Sequence, residues 1–230
     1  MGRRSRRNLS VDLLPFPAGW GGARAGAGRK PSARRPASHR ARPEHAAGNP
    51  VHVTLRLASG LPSLRQKECY RVLRYCFACG REREGFRLVH YSVLPNHLHF
   101  LVEAPDRRAL SRGIQGLAIR IAKRLNALWA RSGRVFAERF HERALRTPRE
   151  VWNALGYVLR NAQRHGMRVF SLLDPFSSAD FFDGWIDGER IGRVLPRAGP
   201  APITAPRTWL LSQGWRRHGP IDPLVTGTRA

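Results

Sequence analysis

An α+β fold follows from three observations on this sequence. Two stretches, Val51-His52-Val53-Thr54-Leu55-Arg56-Leu57 and His97-Leu98-His99-Phe100-Leu101-Val102-Glu103, alternate with the period of two that marks a strand. A third, Asp106 to about Arg131, repeats apolar residues at helical spacing: Leu110, Ile114, Leu117, Ile121, Leu125 and Leu128. The full order is strand, helix, strand, strand, helix, strand, helix. Its first six elements make the split βαβ pattern of a ferredoxin-like fold, βαββαβ, an antiparallel sheet with both crossover helices on one face. The other face is expected to be open, and the seventh element is an added C-terminal helix.

Each element carries its own signal. The first strand is expected to start the folded part at Val51. Pro62-Ser63 opens a helix to about Cys79, with Leu64, Cys69 or Tyr70, Leu73 and Phe77 near helical spacing, and Gly85 breaks it. Phe86 to Leu94 forms the second strand, Pro95-Asn96 makes the turn, and the histidine-bearing strand returns to about Ala104. Asp106 is a natural N-cap for the long helix. Val135 to Leu145 reads as a fourth strand, and Thr147 caps the last helix, which runs to about His165.

The bulk properties narrow the function. A chain of 230 residues, 42% of them hydrophobic, supports one sizeable core. Its formal charge of +25 calls for a polyanionic partner, and nucleic acid is the obvious one. Only Lys30, Lys67 and Lys123 among the 41 basic residues are lysine, so a GC-rich genome contributes to the arginine excess; it does not explain why acids are so few. No apolar run is long enough for a transmembrane helix or a signal peptide, so a cytoplasmic protein is expected. Cys69, Cys76 and Cys79 lie within one helix and lack the second pair a zinc site needs, so they read as thiols.

Three regions follow. Residues 1–48 carry 11 basic residues against Asp12 and Glu44, with Gly, Pro, Ala and Ser between them, a composition expected to be a disordered basic arm. Its Gly28-Arg29-Lys30-Pro31 matches no phosphate-binding loop; it suits either minor-groove insertion or non-specific charge attraction. Residues 49–166 form the folded domain, and 167–230 a partly ordered extension. In the extension, the aromatics between Asp174 and Trp185 and between Trp209 and Trp215 either stack unpaired bases or pack back onto the domain.

Two motifs carry chemistry. On a strand, His97, His99, Leu101 and Glu103 share one face, while Leu98, Phe100 and Val102 share the other and supply core. Two imidazoles at i, i+2 point the same way and can hold one ion; the plainer account is two half-exposed histidines. On the last helix, Val151, Leu155, Val158, Leu159 and Ala162 fall in one arc. Tyr157 lies opposite, flanked by Asn153, Asn161 and Arg164.

Together, Leu94-Pro95-Asn96-His97-Leu98-His99-Phe100-Leu101-Val102-Glu103 and Tyr157-Val158-Leu159-Arg160-Asn161 resemble the single-tyrosine HUH transposases, specifically the REP-associated tyrosine transposase branch. The resemblance covers roughly Pro50 to Gly166. It implies an HUH-endonuclease version of the ferredoxin-like sheet that cleaves and rejoins single-stranded DNA at hairpin-marked ends. Tyr157 would be the nucleophile, with His97, His99 and Asn161 holding magnesium or manganese. Such chemistry suits the residues: a phenolate can attack phosphorus and store the bond energy as a 5′-phosphotyrosine, and a divalent cation polarises the phosphate. Glu103 either assists the metal, orients a histidine or is a solvated rim residue; His141 is taken as structural. Arg29, Lys30, Arg120, Arg124, Arg160 and Arg164 are candidate DNA contacts, and the protein is expected to act as a monomer or homodimer, without a membrane. The alternatives are a binding module, since RNA-recognition domains share the βαββαβ order with stacking aromatics on the open face, and a domesticated transposase that binds its hairpin without transposing.

Overall fold

A computed structural model of the chain describes residues 46–167, 171–186 and 201–224, with the side chain of Arg164 left out. The basic arm, with Arg29 and Lys30, lies outside the described residues. Strand β1 (Val51–Arg56) buries Val51, Val53 and Leu55 on one face and turns His52 and Thr54 to the other, as its alternation dictates. Strands β3 (Phe86–Val93), β4 (His97–Glu103) and β5 (His141–Ala144) complete a ferredoxin-like arrangement in the order β3-β4-β1-β5, antiparallel throughout. A two-residue edge strand, β2 (Glu82–Arg83), adds a fifth member beside β3. The fourth expected strand is shorter than 135–145: Phe136 meets Leu57 as an isolated bridge, and regular pairing resumes only at His141.

Helices α1 (Lys67–Gly80) and α2 (Arg107–Leu128) cover one face of the sheet, over Val53, Leu55, Phe86, Leu98 and Phe100. The Asp106 carboxylate accepts the Ala109 N–H at 2.7 Å and so starts α2. Gly113 lets α2 lie against β3, because a Cβ there would strike the Phe86 ring. The expected stripe of α2 is buried except for Leu128, which is 41% exposed; Trp129 packs against the core at that end instead.

The opposite face is not open. Helix α3 (Pro148–Leu159), with Thr147 and Glu150 forming a capping box, lays Val151, Leu155, Val158 and Leu159 over Val89 and Leu101. Val89 reaches this face through a bulge, since Leu88 pairs with Val102 and His90 with Leu101. The C-terminal segment completes this second core with Phe182, Trp185, Leu210, Leu211, Trp215 and Ile221. An RNA-recognition platform of exposed aromatics is therefore absent from this face among the described residues.

Polar ties pin that segment down. Arg65 grips Asp174 through two bonds of 2.9 and 2.8 Å. Glu103 is only 4% exposed, neither a rim residue nor a metal neighbour: its carboxylate accepts the N–H groups of Arg207 and Thr208 and the Thr208 hydroxyl. The last helix also departs from expectation. It breaks at Arg160 and resumes as α4 (Asn161–Arg164).

Candidate active site

The site is assembled on the α3 side of the sheet, from β1, β4, α3 and α4. The register sets Thr54 opposite His99 and Arg56 opposite His97, so side chains of both strands share this face. The His97 and His99 rings stand 4.8 Å apart between centroids. The Tyr157 ring meets His99 edge-on at 5.3 Å and His52 at 5.6 Å. One chain thus supplies both the phenol and the imidazole pair.

Asn161 lies one helical turn beyond Tyr157 and one turn before His165, whose ring is 5.7 Å from that of His97. The break at Arg160 preserves this spacing, because Arg160 N–H still donates to Gly156 O and His165 N–H to Asn161 O. Asn161 therefore lies, along the helix, between two residues whose rings meet the histidines. It is fully buried, and neither its oxygen nor its nitrogen has a hydrogen-bond partner.

The two histidines are held differently. His97 Nδ1–H donates to Asn96 Oδ1 at 2.7 Å, which leaves Nε2 its lone pair. His99 Nδ1 has two neighbours, His52 Nε2 at 3.0 Å and Thr54 Oγ1 at 3.1 Å, while its Nε2 is buried and unpartnered. Burial holds these three imidazoles neutral at physiological pH. His99 is lowered to about 2, by desolvation first and then by His52, His97 and His165. His97 and His52 are each lowered to about 4, again by desolvation first, with His165 and Arg56 acting on His97 and Arg143 on His52.

Buried polar atoms without partners, such as His99 Nε2 and the Asn161 carboxamide, are open to a water molecule or an ion. Among the described residues, no three His, Cys, Asp or Glu side chains are grouped to hold a metal. The donor set that fits an ion is instead two neutral imidazoles and the Asn161 oxygen, all neutral ligands. Imidazole and carboxamide together suit a borderline or hard divalent cation.

The remaining sequence candidates fall elsewhere. Arg120 and Arg124 lie on α2, behind the sheet, where Arg124 stacks on Tyr75 of α1 at 4.2 Å. Arg160 is buried and donates to the carbonyls of Gly156 and Asp222, so it is a structural clamp. Of the cations on the site face, Arg56 and Arg143 are exposed. His141 shares this face and pairs with Glu138 at 3.2 Å. Cys69 and Cys76 are buried free thiols, and Cys79 is exposed. No described helix is long and apolar enough to cross a membrane.

His52 and His165 are the residues that sequence reasoning missed. The alternation of the first strand already puts His52 on the polar face, but which residue it meets there depends on the β1–β4 register. His165 continues the Tyr157, Asn161 spacing by four.

No family model and no curated protein matches the chain. Among solved structures, a REP-associated tyrosine transposase bound to a REP hairpin is similar at 20% identity, over 74% of this chain and 100% of that one, with a TM-score of 0.52. A Deinococcus radiodurans R1 protein assigned as a transposase is similar at 16% identity, over 42% of this chain and 78% of that one, with a TM-score of 0.36. The chain has the fold of a REP-associated tyrosine transposase.

Proposed function

We propose that the protein is a single-tyrosine DNA transposase, an endonuclease and strand-transferase acting on single-stranded DNA at hairpin-marked sites. One observation carries this reading: the Tyr157 ring lies 5.3 Å from His99, whose Nε2 is buried and unpartnered. A phenol beside an ion-binding imidazole pair is the minimum equipment for phosphodiester transfer without ATP. The solved relative in fold is bound to a REP hairpin, and the charge of +25 suits the same class of partner.

The Tyr157 oxygen attacks phosphorus, a bond forms between them, and the phosphorus–O3′ bond breaks. The phenol proton passes to solvent, and the departing 3′ oxygen takes a proton up. Return attack by a 3′-OH reverses the step and joins DNA. A divalent cation, magnesium or manganese, held by His97, His99 and Asn161, supplies Lewis-acid polarisation of the phosphate when bound. His52 and Thr54 act through His99: they occupy its Nδ1 and so aim Nε2 at the site. Tyr157 and the histidine pair come from one chain, so a monomer is sufficient.

The test uses end-labelled hairpin oligonucleotides with single-stranded flanks, run on a denaturing gel with the full chain. Wild type is expected to give a covalent protein–DNA band, and Tyr157→Phe to lose it while still binding DNA. An equal band from Tyr157→Phe refutes the mechanism. His97→Ala is expected to lose both the band and the heat of Mn2+ binding by calorimetry. Undiminished capture in that variant removes the metal from the reading.

A further inference from the structure

A cavity of about 340 Å³ opens beside Tyr157, lined by His52, Arg143, Leu145, Glu150, Asn153, Ala154 and Tyr157. Four of these, Glu150, Asn153, Ala154 and Tyr157, follow the i, i+3, i+4, i+7 spacing of one face of α3. The volume sits at the small end of ligand sites, which run from about 300 to 1,000 Å³. Burial sorts the lining: Leu145 and Ala154 form an apolar floor, whereas Arg143 and Asn153 stand exposed at the mouth.

The polar groups at the mouth differ in how far they are committed. Glu150 accepts the N–H groups of Arg146 at 2.7 Å and Thr147 at 3.2 Å, and it takes Arg143 Nη2 at 2.9 Å. Its carboxylate is therefore occupied, and it holds the Arg143 guanidinium in place. The carboxamide of Asn153 makes no hydrogen bond within the described residues, and it offers both a donor and an acceptor.

We propose that this cavity is a base-reading pocket, which takes the unpaired nucleobase next to the phosphate attacked by Tyr157. The inference rests on the function proposed above and names a determinant of its substrate choice. An apolar floor with a carboxylate in the wall disfavours a phosphate and suits a flat, uncharged ring. A guanidinium plane is a surface on which bases stack, and an amide reads base edges through paired donor and acceptor. Tyr157 is one wall of the cavity, so the occupant is the nucleotide beside the reacting bond. Arg143 stacks the base, Asn153 reads its edge, and the floor excludes water.

Randomised flanks free the experiment from any choice of target sequence. A hairpin oligonucleotide library with randomised single-stranded flanks is offered to the full chain, and captured molecules are sequenced for wild type and Asn153→Ala. Wild type is expected to show a base preference of about ten-fold or more at a position adjoining the cleaved bond, the size of one good edge contact. Asn153→Ala is expected to flatten that position alone and keep the other preferences. An abasic site there is expected to weaken wild type more than Asn153→Ala, which keeps only the Arg143 stack and the floor. Identical preferences in both proteins, or a loss of capture that is uniform over all positions, overturn the pocket. If wild type captures no oligonucleotide, the proposed function itself falls. The pocket is then judged by equilibrium binding of the same abasic series, where wild type must discriminate more strongly than Asn153→Ala.

Discussion

The two faces of the sheet are built by different rules. Behind it, α1 and α2 bury a core whose members recur at regular spacing within continuous elements, from Cys69 through Phe77 and from Leu110 through Leu125. In front, the second core draws on pieces scattered from Val89 to Ile221, joined by a bulge, a broken helix and a strap of aromatics. The back is a scaffold written in local periodicity. The front places the candidate site, and its order depends on contacts between residues far apart in the chain.

That contrast can be broken by mutation. Phe77→Ala in the back core and Trp215→Ala in the front core should each cost about 3–5 kcal/mol, measured by urea denaturation. Per folded molecule, only Trp215→Ala should lower covalent DNA capture; equal losses would erase the distinction between scaffold and site.

Acid should weaken the front. His90, buried between Ser178 and Phe182, is lowered by desolvation from 6.5 to about 4. The folded state therefore binds fewer protons than the unfolded state between those values. Stability is full above pH 6.5 and is lost as pH falls toward 4. At 1.36 kcal/mol per unit the ceiling is about 3 kcal/mol. His90→Gln should reduce, by its own share, a slope of stability against pH in this window to which His52, His97 and His99 also contribute. An unchanged slope would assign the acid sensitivity elsewhere.

Smaller effects sharpen the picture. Glu103→Gln keeps the shape but removes the charge that three donors converge on, so a loss of about 1–2 kcal/mol is expected. It should also increase proteolysis around Arg207 and Thr208, with wild type as the control. Leu128→Ser should change stability by no more than about 0.5 kcal/mol, since Leu128 is exposed although its spacing assigns it to the core. A larger loss would restore it to the core stripe.

How much of this is legible in the sequence follows the same division. The βαββαβ order, the Asp106 and Thr147 caps and the stripe of α2 are local signals, and each appears where spacing places it. The motif residues His97, His99 and Tyr157 are found together, because strand alternation and helix periodicity fix which way each points. Glu103 follows the same alternation, yet its partners are Arg207 and Thr208, more than a hundred residues on, and no periodicity encodes that meeting. Arg160 reads as a DNA contact because arginines on helices usually face water; here the carbonyls of Gly156 and Asp222 claim it. His52 is hidden for a third reason. Its face is readable, but its neighbour is set by pairing between strands more than forty residues apart.

The clamp between Arg160 and Asp222 has a consequence for the order of events in the cell. Arg160 stands between Tyr157 and Asn161, and its guanidinium is fastened by a carbonyl that the ribosome delivers sixty-two residues later. Until that stretch emerges, the Arg160 guanidinium has only the local Gly156 carbonyl to hold it at the helix break. A nascent chain can therefore complete its rear scaffold before the spacing of Tyr157 and Asn161 is fully secured.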